Sequence, residues 1–316
     1  EERPQRGEVA FRLGQCSEKL NQYARAAAAY QNAARYGYAD STLRLSIARM
    51  QHAEGKYAAA IKAYEEHLRY HPDDNDARNR LAGARMAAEK KGGTRYVVRQ
   101  PKLFNTRRAD YAPMYLSEPQ EQMFFTSTSE KSAGTRKSEI TGMKNGDVWV
   151  SIKNERGEWQ RPQPVEGELN TELDEGIVSF TPDGQTMYLS KARREPNAPT
   201  GVEIYTSQRS EAKWSAPVKF EITADTLSSY GHPAVSPDGR WLYFASDMPG
   251  GSGGLDIWRV SLTERQGSLE NLGEWINTPG NESFPYVRSD SLLYFASDGH
   301  PGYGGLDLFC ARLMPS

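Results

Sequence analysis

The chain has 316 residues, 37% apolar and 25% charged, with 39 basic against 41 acidic side chains and a formal net charge of −2. That length allows about two domains with cores of their own, and the balanced charge excludes a protein that wraps a polyanion, which needs a basic face. No run of 18 apolar residues exists to cross a membrane as a helix.

Residues 7–91 are rich in Ala, Leu, Tyr, Arg and Glu and hold a single proline, Pro72, which is helix composition. Tyr23, Ala26 and Tyr30 recur 34 residues later as Tyr57, Ala60 and Tyr64. The pairs Leu13-Gly14 and Ile47-Ala48 recur at the same interval. This period and these offsets resemble the tetratricopeptide repeat (TPR), in which small residues let two helices approach and an aromatic plugs the neighbouring pair. Ser17 and Gln51 stand where that family has an aromatic, and Tyr38 replaces the closing proline of the first repeat. A third helix, about Asn75 to Lys91, follows Pro72-Asp73-Asp74 and is read as a cap. The resemblance implies a concave face that binds partner proteins or peptides through Gln15, Glu18, Arg49 and His52.

Lys90-Lys91-Gly92-Gly93 reads as a helix stop. The stretch after it is basic, with Arg95, Arg99, Lys102, Arg107 and Arg108, and is read as a solvated linker over 92–103, with contact to an anionic partner as the alternative. Val97 and Val98 fit a short strand.

After residue 104 short apolar runs alternate with Asp-Gly, Pro and Gly clusters, the pattern of an all-β domain with tight turns. Leu242-Tyr243-Phe244-Ala245-Ser246-Asp247, leading to Gly253-Gly254-Leu255-Asp256-Ile257-Trp258, recurs 51 residues later. The second copy is Leu293-Tyr294-Phe295-Ala296-Ser297-Asp298, leading to Gly304-Gly305-Leu306-Asp307-Leu308-Phe309. Weaker copies surround Met187-Tyr188-Leu189-Ser190 and Met123-Phe124-Phe125-Thr126. A lead-in signature precedes three of the four units: Asn105-Thr106 with Asp110, Asn170-Thr171 with Glu175, and Asn277-Thr278 with Glu282. The third unit has only Gly231-His232-Pro233 in its place.

Four units of about 50 residues, each with several short strands, read as propeller blades. Their expected spans are 104–155, 169–209, 230–262 and 276–313. Ser236-Pro237-Asp238-Gly239 reads as a hairpin turn with positive φ at Asp-Gly. Six residues recur at the start of one strand and are read as structural parts of the blade: Asp147, Trp149, Asp256, Trp258, Asp307 and Phe309. The acids among them are expected to accept backbone N–H groups of a turn, with calcium binding as the alternative.

These motifs resemble the WD40-like PD40 repeat of TolB-type propellers. The form I-N-T…E…L-Y-F-A-S-D-G-H…G-x-G-G-L-D is similar to the variety in Bacteroidetes outer-membrane-associated proteins, where it stands between TPRs and an OmpA-like peptidoglycan-binding module. The fold class is therefore multidomain α plus all-β, with helical repeats over 1–91 and a propeller over 104–316. Four blades fall short of the six to eight usual for that family, and no OmpA-like module is present, so the chain is read as a fragment.

The resemblance implies a non-enzymatic periplasmic scaffold of a type IX secretion system. Its partners would be proteins or peptides, with an indirect peptidoglycan link, no nucleic acid and no transmembrane segment. A lipid anchor would sit on a cysteine upstream of residue 1, since neither Cys16 nor Cys310 is terminal; the two cysteines are not expected to pair. No catalytic residue, cofactor or metal is expected. Two alternatives remain: a propeller that binds a sugar, a peptidoglycan fragment or Ca2+ in its channel, and a hydrolase. The second rests on Gly250-Gly251-Ser252-Gly253-Gly254, which fits the G-x-S-x-G turn of catalytic serines. Against it, Tyr303 stands in the equivalent place 51 residues after Ser252, and no alternation of strands and helices surrounds the serine.

Overall fold

Alanine-rich sequence between Pro4 and Pro72 has nothing to break a helix except its own turns. The computed structural model describes residues 2–90, 97–116, 119–135, 137, 142–193, 201–211, 213–264, 269–289 and 291–312. Its five helices are α1 (Glu2–Lys19), α2 (Tyr23–Arg35), α3 (Leu43–Ala53), α4 (Tyr57–Tyr70) and α5 (Asn75–Glu89), each packed on the next. The described residues fall into two compact units. One holds those of 1–95 with 278–281 and 297–308; the other holds those of 96–277, 282–296 and 309–316.

Within the first unit the 34-residue interval marks equivalent places. Asn21 and Gly55 take φ of 55° and 73°, and each lets the chain turn into a helix that starts at Tyr23 or Tyr57. Ala26 and Ala60 are fully buried, as are Tyr30 and Tyr64 to within 1%. Gly14 meets Tyr30 so closely that an added Cβ would lie 2.5 Å from its ring. Asp74 caps α5 by accepting the Ala77 N–H at 2.9 Å, while its other oxygen pairs with His67 at 2.8 Å. Leu13 is 43% exposed, so the L-G pair of the first repeat packs through its glycine alone.

The second unit is built from antiparallel sheets of short strands. The first runs β1 (Asp110–Tyr115), β2 (Gln122–Ser127), β3 (Asp147–Ile152) and β4 (Gln163–Pro164) in that order. The second has β5 (Glu175–Phe180), β6 (Thr186–Ala192), β7 (Val202–Ser210) and β8 (Lys213–Trp214), with β9 (Val218–Lys219) also on β7. The third has β10 (Tyr230–Val235), β11 (Trp241–Ser246), β12 (Asp256–Ser261) and β13 (Glu270–Asn271). The fourth has β14 (Glu282–Ser289), β15 (Leu292–Ser297) and β16 (Asp307–Arg312).

Together they form a four-blade propeller arrangement, whose outer strands lie beyond the spans expected to end at 155, 209 and 262. Val97 and Val98 form no strand and stand 77% and 94% exposed. Gly92, Gly93 and Arg95 of the linker lie outside the described residues.

The period of two along the second strands assigns each face to a different neighbour. Met187 and Leu189 join a core with Phe124 and Val148 of the first sheet, whereas Tyr188 joins one with Leu242 and Phe244 of the third. Tyr243 and Ile257 in turn pack with Val287, Leu293 and Phe295 of the fourth. Each fully buried side chain of this size stabilises by about 1.5–3 kcal/mol. Leu308, 51 positions after the fully buried Ile257, is 84% exposed, with no further sheet beyond β16 among the described residues.

The lead-in signature has a physical reason. Asn170 accepts the Val148 N–H at 2.8 Å and donates to Val148 O at 3.0 Å, so one side-chain amide closes on both backbone groups of a β3 residue. Asn277 does the same to Ile257 of β12, at 2.7 and 3.0 Å. The following threonine donates to the acid that opens the next sheet: Thr106 N–H to Asp110 at 2.6 Å, and Thr171 N–H to Glu175 at 2.9 Å. In the third unit Asp225 stands in the place of the Asn and Tyr230 in the place of the acid, and the Tyr230 hydroxyl donates to Asp225 at 3.2 Å. Both hairpin loops, Thr181-Pro182-Asp183-Gly184 and Ser236-Pro237-Asp238-Gly239, place only the glycine at positive φ, 66° and 72°. The aspartate instead accepts the next N–H along, from Gln185 or Arg240, at 3.0 Å.

Two stability outcomes follow. Gly14→Val should cost about 1–3 kcal/mol in denaturant unfolding, because the Tyr30 ring has no room to withdraw. Asn277→Ala, which orphans the buried Ile257 N–H while the Ile257 carbonyl keeps the Leu272 N–H, should cost about 1–3 kcal/mol, and more than Asn170→Ala, whose site is less buried.

Candidate functional site

Each opening strand breaks its own ladder two residues in. Ala112, Ile177, His232 and Phe284 take φ between 49° and 54°, a left-handed conformation that only glycine adopts without strain. The register with the second strand slips at this place in the three sheets whose pairing is described, between Tyr111 and Met114, Gly176 and Val178, and Gly231 and Ala234. These are β-bulges, and each turns a backbone N–H out of the sheet.

The preceding blade receives that N–H. Ile177 donates to Thr126 Oγ1 at 2.8 Å, and His232 donates to Ser190 Oγ at 2.9 Å. Thr126 and Ser190 occupy one register position, opposite Tyr111 and Gly176. The third sheet has Ala245 there, opposite Gly231, and alanine offers no hydroxyl. The Phe284 N–H is accepted instead by His232 Nδ1 at 3.2 Å, with the two rings stacked at 4.1 Å and 15°. An accepting Nδ1 fixes His232 as the neutral Nε2–H tautomer. Desolvation acts in the same direction and brings its pKa down to about 4.

The bulges of the second and third sheets line a cavity of about 510 Å3, with Tyr111, Ser190 and Ser229 around them. Its acidic groups are already engaged: Asp174 accepts the Gly146 N–H at 2.7 Å, and Glu175 pairs with Lys191 at 3.0 Å. At the far ends of the same strands Met114, Phe180, Val235 and Tyr286 border a smaller cavity of about 240 Å3.

The recurring aspartates sit at the starts of β3, β12 and β16 and accept turn N–H groups. Asp147 takes the Ala133 N–H. Asp256 takes those of Ser252 and Gly253 at 2.5 and 3.2 Å, and Asp307 takes those of Tyr303 and Gly304 at 2.6 and 3.1 Å. The second oxygen of Asp147 is buried without a partner, and burial pushes its carboxyl up to about 6. Trp149 and Trp258 are 6% and 7% exposed, each with its indole Nε1 buried and unpartnered, and Phe309 stacks on Phe295 at 5.8 Å. Among the described residues no three His, Cys, Asp or Glu side chains gather as metal ligands.

Ser252 does not have the surroundings of a nucleophile. It is exposed in the loop between β11 and β12, with no helix after it, and its Oγ meets no histidine among the described residues. The glycines around it serve two separate needs. Only Gly250 takes positive φ, at 95°. A Cβ on Gly251 would lie 2.6 Å from Asp256 Oδ2, so glycine is required there for close approach to the carboxylate.

The four helical residues expected on a concave face are not equally available. Gln15 accepts from Arg12 at 3.2 Å, and Glu18 lies between the Tyr30 hydroxyl at 2.6 Å and Arg49 at 3.6 Å. His52 is only 2% exposed. Its Nε2 reaches Gly302 O at 3.2 Å and its Nδ1 reaches the Tyr64 hydroxyl at 3.4 Å, both inside the first unit. It is therefore a packing residue and not a contact for an outside partner. Cys16 and Cys310 are both free thiols and both exposed. No described helix is long and apolar enough to cross a membrane.

His232 offers a clean titration test. Its neutral form is favoured by folding, so its contribution to stability is complete above about pH 6.5 and is lost as pH falls towards 4. His232→Asn keeps an acceptor and tolerates the left-handed backbone, and should flatten that part of the stability profile measured by denaturant unfolding.

No family model matches the chain, and no curated protein matches it. Among solved structures it is similar to TolB from Acinetobacter baumannii, with a TM-score of 0.40 and 16% identity over 68% of this chain and 45% of that one. It is also similar to a thermostable family-43 glycoside hydrolase, with a TM-score of 0.40 and 13% identity over 66% and 72% of the two chains. A third is a puromycin-hydrolyzing peptidase of Mycobacterium tuberculosis, with a TM-score of 0.38 and 13% identity over 65% and 27%. The chain thus spans less than half the length of the TolB structure and about a quarter of the peptidase.

Proposed function

We propose that this chain is a non-enzymatic scaffold that binds partner proteins. One observation carries the reading: the residues that look chemical in the sequence are used to hold the fold. The recurring aspartates accept turn N–H groups, and among the described residues Ser252 Oγ meets no histidine. Helical repeats of the TPR kind followed by a propeller form two modules that recognise proteins by surface rather than by catalysis. The order of the two resembles PorE of the type IX (Por) secretion system. On that reading the chain works in the periplasm, held to the outer membrane by a lipid anchor upstream of residue 1, and joins a secretion assembly to the cell wall. Gln15, Glu18 and Arg49 remain as the partner-facing part of the helical surface. A second reading, a small ligand bound by the propeller, is favoured only by the cavity beside His232.

The test is capture of partners from the native envelope by the intact chain and by Arg49→Glu. The scaffold reading expects a reproducible protein set that is depleted several-fold by the charge reversal. An unchanged set removes the helical surface from the proposal. Esterase or peptidase turnover by the pure chain, abolished in Ser252→Ala, would overturn the non-enzymatic reading altogether.

A further inference from the structure

A different cavity, of about 410 Å3, opens beside the first sheet. Three cations from three separate segments line it: Lys102 ahead of β1, Lys131 between β2 and β3, and Arg161 between β3 and β4. Among the described residues none of the three has a carboxylate within ion-pair distance, whereas Arg108 nearby pairs with Glu130. The carboxylate in the lining, Asp110, is saturated. Its Oδ1 accepts from Ser127 Oγ at 2.6 Å, and its Oδ2 accepts the N–H and hydroxyl of Thr106 at 2.6 and 2.8 Å. The cavity therefore carries an excess of positive charge in a chain whose net charge is −2.

The walls between these charges are aromatic. Phe125 and Trp149 are 5% and 6% exposed, and Phe104 stands edge-on to Phe125 with ring centroids 6.1 Å apart. Trp149 also holds a buried indole N–H that no protein atom accepts. The remaining lining joins Leu103 and Pro162 to polar uncharged groups, among them the amide of Asn105 and the hydroxyl of Ser129.

Each part of this lining narrows the chemistry. Unpaired lysines and an arginine select an anion, and the guanidinium suits a carboxylate or a phosphate. A bare inorganic anion has no use for three aromatic walls. A purely aromatic acid has no use for the amide and hydroxyl. The volume lies within the range of small-molecule sites. We propose that this cavity binds an acidic sugar, its ring against Phe104, Phe125 and Trp149 and its carboxylate or phosphate among Lys102, Lys131 and Arg161.

The test is titration calorimetry of the full chain at low ionic strength with four probes: glucuronate, glucose 6-phosphate, glucose and inorganic phosphate. Saturable binding of at least one acidic sugar is expected, at least ~10-fold tighter than glucose or inorganic phosphate and weakened by added salt. Whether glucuronate or glucose 6-phosphate binds more tightly tells carboxylate from phosphate. The variant Lys102→Ala/Lys131→Ala/Arg161→Ala changes only exposed side chains, and should keep the wild-type melting temperature while losing at least ~10-fold in affinity. Phe104→Ala should weaken the acidic sugars and leave inorganic phosphate unchanged. The proposal is overturned if no acidic sugar binds, if inorganic phosphate binds equally well, or if the triple variant binds like the wild type.

Discussion

The propeller depends on how one backbone N–H per blade is satisfied after its strand has bulged. The bulge puts a non-glycine residue at φ near 50°, which costs of order 1 kcal/mol or more and persists only where the surroundings hold it. It also turns an N–H away from the ladder, and a buried N–H without an acceptor is costly. Both problems have one solution, an acceptor on the preceding blade: Thr126 for Ile177, Ser190 for His232. The strain in one sheet is thereby held by its neighbour. Where the series reaches Ala245 the hydroxyl is missing, and the imidazole of His232 takes its place for Phe284. A histidine that must accept there cannot also be protonated, so the geometry and the lowered pKa express the same constraint.

The blade junctions show which parts of this were legible in the sequence. The Asn-Thr…acid signature could be read as a recurrence because its parts repeat their contacts: the asparagine closes on a β-strand residue at Asn170 and Asn277, and the threonine N–H meets the acid at Thr106 and Thr171. The third junction escaped reading because its chemistry differs. Asp225 turns its carboxylate to its own loop, accepting the Leu227 and Ser228 N–H groups and the Tyr230 hydroxyl, where Asn170 and Asn277 close on a strand of the preceding sheet. Arg193 is added to the same place and donates to the carbonyls of Thr226 and Leu227. The left-handed bulges were illegible for a stronger reason. Nothing in a β-branched Ile177 announces positive φ, since the requirement comes from the neighbouring sheet and not from the residue.

Helix positions were legible where local chemistry decides them. Asn21 and Gly55 fit a left-handed turn, and the small residues Gly14, Ala26 and Ala60 mark close crossings. His52 was misread because its partner is 250 residues away in sequence. A histidine on an apparently free helix face looks available until the chain that covers it is known. In the first unit that chain is the 297–308 segment, whose Gly302 carbonyl accepts from the imidazole and whose Gly304 would bring a Cβ to 2.9 Å from Ala53 Cα.

That segment and the Ser252 loop are copies of one sequence, and comparing them separates what the repeat fixes from what it leaves free. In both, an aspartate at the start of the following strand gathers two successive N–H groups, and the glycine before the variable position must approach its carboxylate. Glycine and aspartate thus define the loop, and neither can be exchanged without losing the turn. The variable position carries no part of that work. In one copy it is the exposed Ser252. In the other it is Tyr303, whose hydroxyl accepts from Lys90 at 2.8 Å and whose ring lies 4.7 Å from the ammonium. A position that the turn does not constrain is where successive copies of a repeat can acquire different contacts. The resemblance of Gly250–Gly254 to a serine-nucleophile turn arose because an unconstrained position happened to hold serine between glycines that the aspartate requires.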